Sequence, residues 1–406
     1  MPSPLLRTTG RSGSRLASSV TEPAGLRVRV VHVIPSVARR DGGPSEVIRG
    51  LLTPLTAAGL SIRVITTDKG LDQRDDDLRH HANIEIHRVR RPIGWSYSPS
   101  AISGIVRAVR AADIVHVHSL HTFTSTVALW AAAALRRRVV VQPHGSLDAY
   151  HWNQSRLKKA LYSAFIDGYA LRRAAALIVS SDYEAATRAP RWSRRMRAVS
   201  VPLAVDDRLF QLERAQSTSA TRPAVLFLGR VTTKKRIDLV LDAFRLLTER
   251  GIDADLIVAG PIDPSLPYDP IGLAESAGLS ERTRFIGTVD ADRRLRLLLE
   301  AAVFVLPSDD ESFGVSVAEA MAAACATVTT ATVGIAAPAQ AAEALIIAEQ
   351  TPRSIADCLA RLLEDPSLSQ EMGDRGRRYA QAHFTWDRAA STLVSLYQET
   401  GQPEER

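Results

Sequence analysis

Cysteine is almost absent: the 406 residues contain only Cys325 and Cys358. That leaves at most one disulfide and no cysteine-rich metal cage, and it suits a reducing, intracellular compartment. Long apolar runs are missing too. The nearest, Thr122 to Leu135, has 14 residues and stops at Arg136-Arg137-Arg138, short of the roughly 18 that a bilayer crossing needs. Residues 1–25 mix Ser, Thr, Pro, Gly and Arg around no apolar core, so they are expected to form a disordered basic tail and not a secretory leader. There is no zinc-finger spacing, no aromatic RNA-binding signature and no basic helix with heptads, which argues against nucleic acid as a partner.

The net charge of +7 conceals an asymmetry. Residues 1–205 hold 30 Lys+Arg against 14 Asp+Glu, or +16, and residues 206–406 hold 21 against 30, or −9. With nucleic acid disfavoured, an anionic membrane surface is the partner expected of the basic half. A segment fits that expectation: Arg156 to Ile166 places Leu157, Leu161, Phe165 and Ile166 beside a basic flank, a pattern shared by interfacial helices and by ordinary core-facing ones.

From residue 27 onward, short β-branched runs alternate with amphipathic stretches. Arg27–Ile34, Ile62–Thr66, Ile84–Val89, Ile114–His118, Val139–Gln142 and Leu177–Ser180 read as buried parallel strands, with helices expected at Pro44–Ala58, Ala101–Ala111 and Leu157–Ala174. After a polar interval at Glu213–Arg222 the alternation restarts, with strands at Ala224–Leu228, Ala254–Ala259, Thr283–Ile286, Val303–Leu306 and Thr327–Thr330. Helices are expected between them at Arg236–Arg250, Asp292–Ala301 and Ser316–Ala324. The pattern predicts two doubly wound α/β domains, residues 26–205 and 223–384, joined by a linker at 206–222. Ligands of such sheets sit beyond the carboxyl ends of the strands, so two facing domains enclose a cleft. Residues 385–406 add a final helix and tail, with Thr385 as its N-cap.

Four strand-end segments could carry chemistry. In Pro307 to Glu319, a helix starting near Gly314–Ser316 offers free N–H groups to an anion, and the carboxylates of Glu311 and Glu319 could accept hydroxyls on either side of a bound diphosphate. A helix-dipole role for Glu319 and a solvated Glu311 fit the same residues. In Phe227 to Arg236, Gly229 permits a tight strand exit, while Arg230 and Lys235 could neutralise a diphosphate or simply form a solvated basic loop. Gly42-Gly43, ahead of Pro44, allows a close backbone approach or a plain turn. It is no dinucleotide fingerprint, so such a cofactor is disfavoured. His144, after Gln142-Pro143, could donate to a substrate hydroxyl or be structural. His116, His118 and His121 look metal-like, but no carboxylate converges on them and metal binding is not expected.

Taken together, Gly229-Arg230 through Lys235 and the E-x7-E segment Glu311-Ser312-Phe313-Gly314-Val315-Ser316-Val317-Ala318-Glu319 resemble the family-4 retaining glycosyltransferases of the GT-B fold. The resemblance runs from about Val28 to Tyr397 and takes in Pro143-His144-Gly145, Val201 to Asp206, Phe285-Ile286-Gly287 and Phe384-Thr385-Trp386. Within that group, Pro143 to Asp148 and the basic helix after it are similar to polysaccharide-assembly enzymes working on lipid-linked acceptors.

The resemblance implies sugar transfer from a UDP- or GDP-sugar to a lipid-linked or saccharide acceptor, with retained anomeric configuration, by a cytoplasmic enzyme peripheral to the inner face of the plasma membrane. It also implies a C-terminal helix that packs back on the N-terminal domain. Arg230 and Lys235 would hold the diphosphate, Glu319 the ribose, and Glu311 with Ser312, Phe313, Gly314 and Val315 the donor sugar. Gly42, Gly43 and His144 would close the site, and no cofactor or metal is implied, Asp309-Asp310 included. A 2-epimerase on the same scaffold and a degenerate nucleotide-sugar-binding scaffold are the alternatives. Leu203-Ala204, Ala324-Cys325-Ala326 and Gly334-Ile335-Ala336-Ala337-Pro338 depart from the family pattern.

Overall fold

Buried β-branched runs become parallel strands wherever helices cover both sheet faces. The computed structural model describes residues 28–91, 95–145, 168–188, 196–214 and 222–401. In its first half lie β1 (Arg29–Val33), β2 (Ser61–Thr67), β3 (Ile84–His87), β4 (Ile114–His118), β5 (Arg138–Gln142), β6 (Ala176–Val179) and β7 (Arg197–Ser200). These form one sheet ordered β3-β2-β1-β4-β5-β6-β7. The second half holds β8 (Ala224–Leu228), β9 (Asp255–Ala259), β10 (Thr283–Gly287), β11 (Val303–Leu306), β12 (Ala326–Thr330) and β13 (Ile346–Ala348), ordered β10-β9-β8-β11-β12-β13. The strands pair in parallel throughout both sheets. Each sheet therefore reverses direction once, between β1 and β4 and between β8 and β11, and at such switch points a crevice opens beyond the strand ends.

Several elements differ from expectation. The edge strand β7 is half exposed and β13 has three residues, so neither shows the continuous apolar run by which a central strand is recognised. The 14-residue apolar stretch folds as the Phe123–Ala134 helix, buried on most sides. Two long helices, Pro352–Glu364 and Pro366–His383, follow β13 and were not foreseen. The expected helix at Arg236–Arg250 spans Ile237–Glu249 and is entered through Arg236 in a left-handed conformation at φ 52°. Of the stretch expected as Leu157–Ala174, Gly168–Leu171 is helical. Residues 1–25, the basic segment at 156–166 and most of the interval at 213–222 lie outside the described residues.

The C-terminal helix, Trp386–Gly401, crosses back onto the first lobe. Its Ala389, Ala390, Leu393, Leu396 and Tyr397 join the apolar cluster of Val30, Ile48, Leu51 and Ile114. The Trp386 ring lies over Gly50, where an added Cβ would overlap the indole. The chain thus passes between the lobes twice, and the two passages are tied: Val205 N–H donates to the Phe384 carbonyl at 3.0 Å.

Candidate active site

In the second lobe, the site is built from loops after β8 and β11, which are neighbours across the switch point. Gly229 leaves β8 at φ 145°, a conformation that side chains rarely adopt. A single 3-10 turn, Thr233–Lys235, then folds the Lys235 side chain back over Gly229. The loop after β11 is stitched to that turn: Ser308 Oγ donates to the Lys234 carbonyl at 2.9 Å, and Asp309 N–H donates to the same oxygen at 2.7 Å. The stitching places Lys235 Nζ 2.8 Å from Glu311 Oε1. Gly314, at φ 98°, caps the Val315–Ala322 helix. The first intrahelical bond runs from Ala318 N–H to the Gly314 carbonyl, so the N–H groups of Val315, Ser316 and Val317 stand outside the helical ladder.

Gly314, Val315 and Ser316 open onto a cleft of about 470 Å³ between the lobes. Gly43, His144, Arg230, Lys235, Glu311, Ser312, Phe313, Gly314, Val315 and Glu319 all line it. Gly42 does not: at φ 77° it shapes the turn into the Gly43–Ala57 helix, donating to the Arg39 carbonyl and accepting from Ser45 N–H. It stands one residue from the cleft-lining Gly43 and sets the turn that brings that glycine there. Arg230 keeps 67% of its side chain exposed, with Nη1 3.6 Å from Asp263, and stands at the cleft rim. Asp309 accepts from Arg236 at 3.1 Å and from Gln350 at 3.1 Å.

The two carboxylates of the E-x7-E segment sit in different fields. Burial alone would raise the Glu311 carboxyl, but the charges of Lys235 and Lys234 outweigh it and hold the group below the usual range. Glu319 has 6% of its side chain exposed and lies 3.2 Å from Arg294 Nη1. There burial dominates over the Arg294 charge, and the carboxyl is pushed up. Sequence reasoning treated Lys235 and Glu311 as separate ligands; they form an ion pair in this structure. It missed Arg294, one of several arginines in the Ala291–Glu300 helix, because nothing in the run marks which arginine turns inward.

A contact between the lobes was missed as well. Ser181 Oγ, after β6, donates to the Ser312 carbonyl, and its helix is held by Glu184, which accepts from both Ser180 N–H at 2.7 Å and Ser180 Oγ at 2.6 Å. The segment around Gly334 supports the same loop. Glu311 N–H donates to the Thr332 carbonyl, Gly334 N–H to the Glu311 carbonyl and Ile335 N–H to the Phe313 carbonyl. An added Cβ at Gly334 would strike the Ser312 carbonyl and the Ser181 hydroxyl. Gly334→Ala is therefore expected to destabilise the protein by about 1–3 kcal/mol, the usual cost of overpacking, and to lower the thermal midpoint and turnover together. An unchanged midpoint in a calorimetric scan would show that this loop yields freely.

Comparison with known proteins places both lobes. The first matches the glycosyl transferase 4-like domain over residues 42–204, and the second matches glycosyl transferases group 1 over residues 210–379. A D-inositol 3-phosphate glycosyltransferase of Corynebacterium urealyticum is 31% identical over 199 residues, 47% of each chain. The chain spans about half the length of the curated relatives it matches. Sucrose-phosphate synthase from Thermosynechococcus elongatus superposes with a TM-score of 0.68 at 23% identity, covering 92% of this chain and 99% of that one. The Anabaena protein HepE in complex with UDP and glucose gives 0.68 at 17% identity, covering 92% and 100%. With both lobes matched, two facing doubly wound sheets and the E-x7-E segment lining their shared cleft, the chain belongs to the family-4 glycosyltransferases of the GT-B fold.

Proposed function

We propose that the protein transfers a sugar from a nucleotide diphosphate sugar, a UDP- or GDP-sugar, to a lipid-linked or saccharide acceptor with retention of anomeric configuration. The observation that carries the proposal is convergence: Lys235, Arg230, the open N–H groups of the Val315–Ala322 helix and the buried Glu319 all meet in one cleft. Cations and a helix N-terminus suit a diphosphate, and a buried carboxylate suits the vicinal hydroxyls of a ribose. Gly260, Pro261, Thr288 and Val289 line the cleft near the ends of β9 and β10, where a base would extend from that ribose. The UDP and glucose held by HepE are in keeping with such a donor.

In this mechanism Lys235 and Arg230 stabilise the charge that develops on the departing diphosphate, and that diphosphate receives the acceptor proton on the same face of the sugar. Preorganised charge of this kind is usually the largest catalytic contribution. Lys235, held at Glu311, is already in place before substrate arrives. No protein nucleophile is required, and no step of the proposal calls for a metal.

The acceptor side faces the basic first lobe, and we infer a peripheral contact with an anionic leaflet. Among the described residues no helix is long and apolar enough to cross a membrane. Vesicles containing anionic phospholipid should bind the protein and release it as salt rises, since screening shortens to about 8 Å at physiological ionic strength. Salt-insensitive or absent binding would remove the membrane from the proposal. For the reaction itself, nucleotide diphosphate should be released from a matched donor when lipid-linked acceptors are added, with the product keeping the donor's anomeric configuration. An epimerised donor formed without acceptor would favour the 2-epimerase instead.

A further inference from the structure

Behind the cleft, the first lobe contains a row of imidazoles. His32 on β1 and His116 on β4 are register partners in the sheet, and His118 lies two residues further along the same face of β4. All three are buried. His32 Nδ1 lies 2.9 Å from His118 Nε2, and His118 Nδ1 lies 2.8 Å from His144 Nε2. The planes of these neighbours are tilted by 22° and 15°, with ring centres 5.2 and 5.1 Å apart. Because the nitrogens approach far more closely than the ring centres, the rings meet edge to edge, as in-plane hydrogen bonds require. The chain begins deep in the sheet and ends at His144, which lines the cleft.

A metal is the obvious rival, since ligand atoms of His32, His116 and His118 lie within 4.8 Å of one another. Coordination needs lone pairs that converge on one point. The rings of His116 and His118 are stacked at 4.0 Å with planes 21° apart, so their in-plane lone pairs run side by side. Both nitrogens of His118 are engaged by other imidazoles, and His116 Nδ1 is engaged by the Tyr397 hydroxyl at 2.6 Å. The geometry is that of a hydrogen-bonded chain.

Each neutral imidazole carries one N–H, so the three protons must run in one direction or the other. The far end decides which. Among the described residues, His32 Nε2 is buried without a hydrogen-bond partner. If the protons pointed inward, that atom would be an orphaned N–H, which buried protein interiors almost never leave unmade. If they point outward, it is a bare lone pair, the lesser penalty. His32 Nδ1–H then donates to His118, His118 Nδ1–H donates to His144 Nε2, and the His144 proton sits on Nδ1.

We propose that His32 and His118 are positioning residues that hold His144 as a neutral Nδ1–H imidazole, a fixed hydrogen-bond donor for a substrate hydroxyl in the cleft. Burial works in the same direction, holding both His32 and His144 down at about 3, so the chain stays uncharged at neutral pH. The substrate role of His144 rests on the glycosyl-transfer reading; the tautomer does not.

Long-range proton–nitrogen spectra of the full chain labelled with 15N-histidine, assigned by single-histidine variants, test the tautomer directly. His144 is expected to carry its proton on Nδ1 with Nε2 bare, and an Nε2–H or doubly protonated ring would overturn the proposal. Kinetics give a second arm. His118→Asn keeps a donor near the Nδ1 position and should retain most of kcat, whereas His118→Leu should lose about tenfold, the worth of one hydrogen bond, with nucleotide affinity unchanged in both. Equal losses in the two variants would make His118 merely structural. A protein with the Nδ1–H tautomer and no transfer activity would sink the proposed function and leave the imidazole chain standing.

Discussion

Replacing Lys235 with alanine is expected to lower kcat about 10²- to 10³-fold, the loss typical when one preorganised charge-stabilising group is removed, while the thermal midpoint moves little. The reasoning follows from what is left behind. Without the ammonium, Glu311 keeps Lys234 at 3.9 Å and Ser308 at 3.4 Å, so its carboxylate is not stranded and the fold loses only part of one ion pair. The departing diphosphate loses a mostly buried cation of the cleft. A fall in thermal midpoint matching the fall in turnover would make the lysine structural, and an unchanged kcat would remove it from the mechanism. Arg230→Ala offers a graded comparison: its side chain is largely exposed at the rim, so solvent already screens it and a smaller loss is expected.

Glu319→Ala should weaken nucleotide binding about 10- to 100-fold, the value of one or two hydrogen bonds to a charged acceptor. Titration calorimetry with UDP and GDP measures this directly. The thermal stabilisation that saturating nucleotide gives the wild type, which grows with ligand concentration over Kd, should shrink in parallel. Removing the carboxylate leaves Arg294, 37% exposed, free to turn to solvent, so the change carries little stability cost of its own. Unchanged affinity would take Glu319 away from the ribose and return it to the helix-dipole role that the sequence left open.

Much of this arrangement was legible before any coordinates. Central strands of doubly wound sheets are short, predominantly apolar runs, and β1, β4, β8 and β11 are all of that kind. Site residues cluster immediately after them because sheet topology sends ligands to those ends. What stayed hidden depends on neighbours distant in sequence. Lys235 and Glu311 belong to loops whose strands, β8 and β11, become adjacent only when the sheet forms. Arg294 is chosen among its neighbours by the rotation of one helix, and Ser181 matters only once the lobes face each other. His32 sits in a strand that reads as apolar, and its meaning comes from pairing with β4. Gly334 to Pro338 depart from the family pattern, yet the Gly334 and Ile335 N–H groups still bond the Glu311 and Phe313 carbonyls.

The tie between Val205 and Phe384 has a mechanical corollary. Crossings clipped together at 3.0 Å move as one strip, so a rotation of one lobe against the other is taken up in these few residues. The Ser181–Ser312 contact ties the lobes a second time, at a residue that lines the cleft. Substrate entry and product exit then depend on breaking the tie beside the cleft while the other holds, and Ser181→Ala should change how fast the lobes open without touching the groups that react.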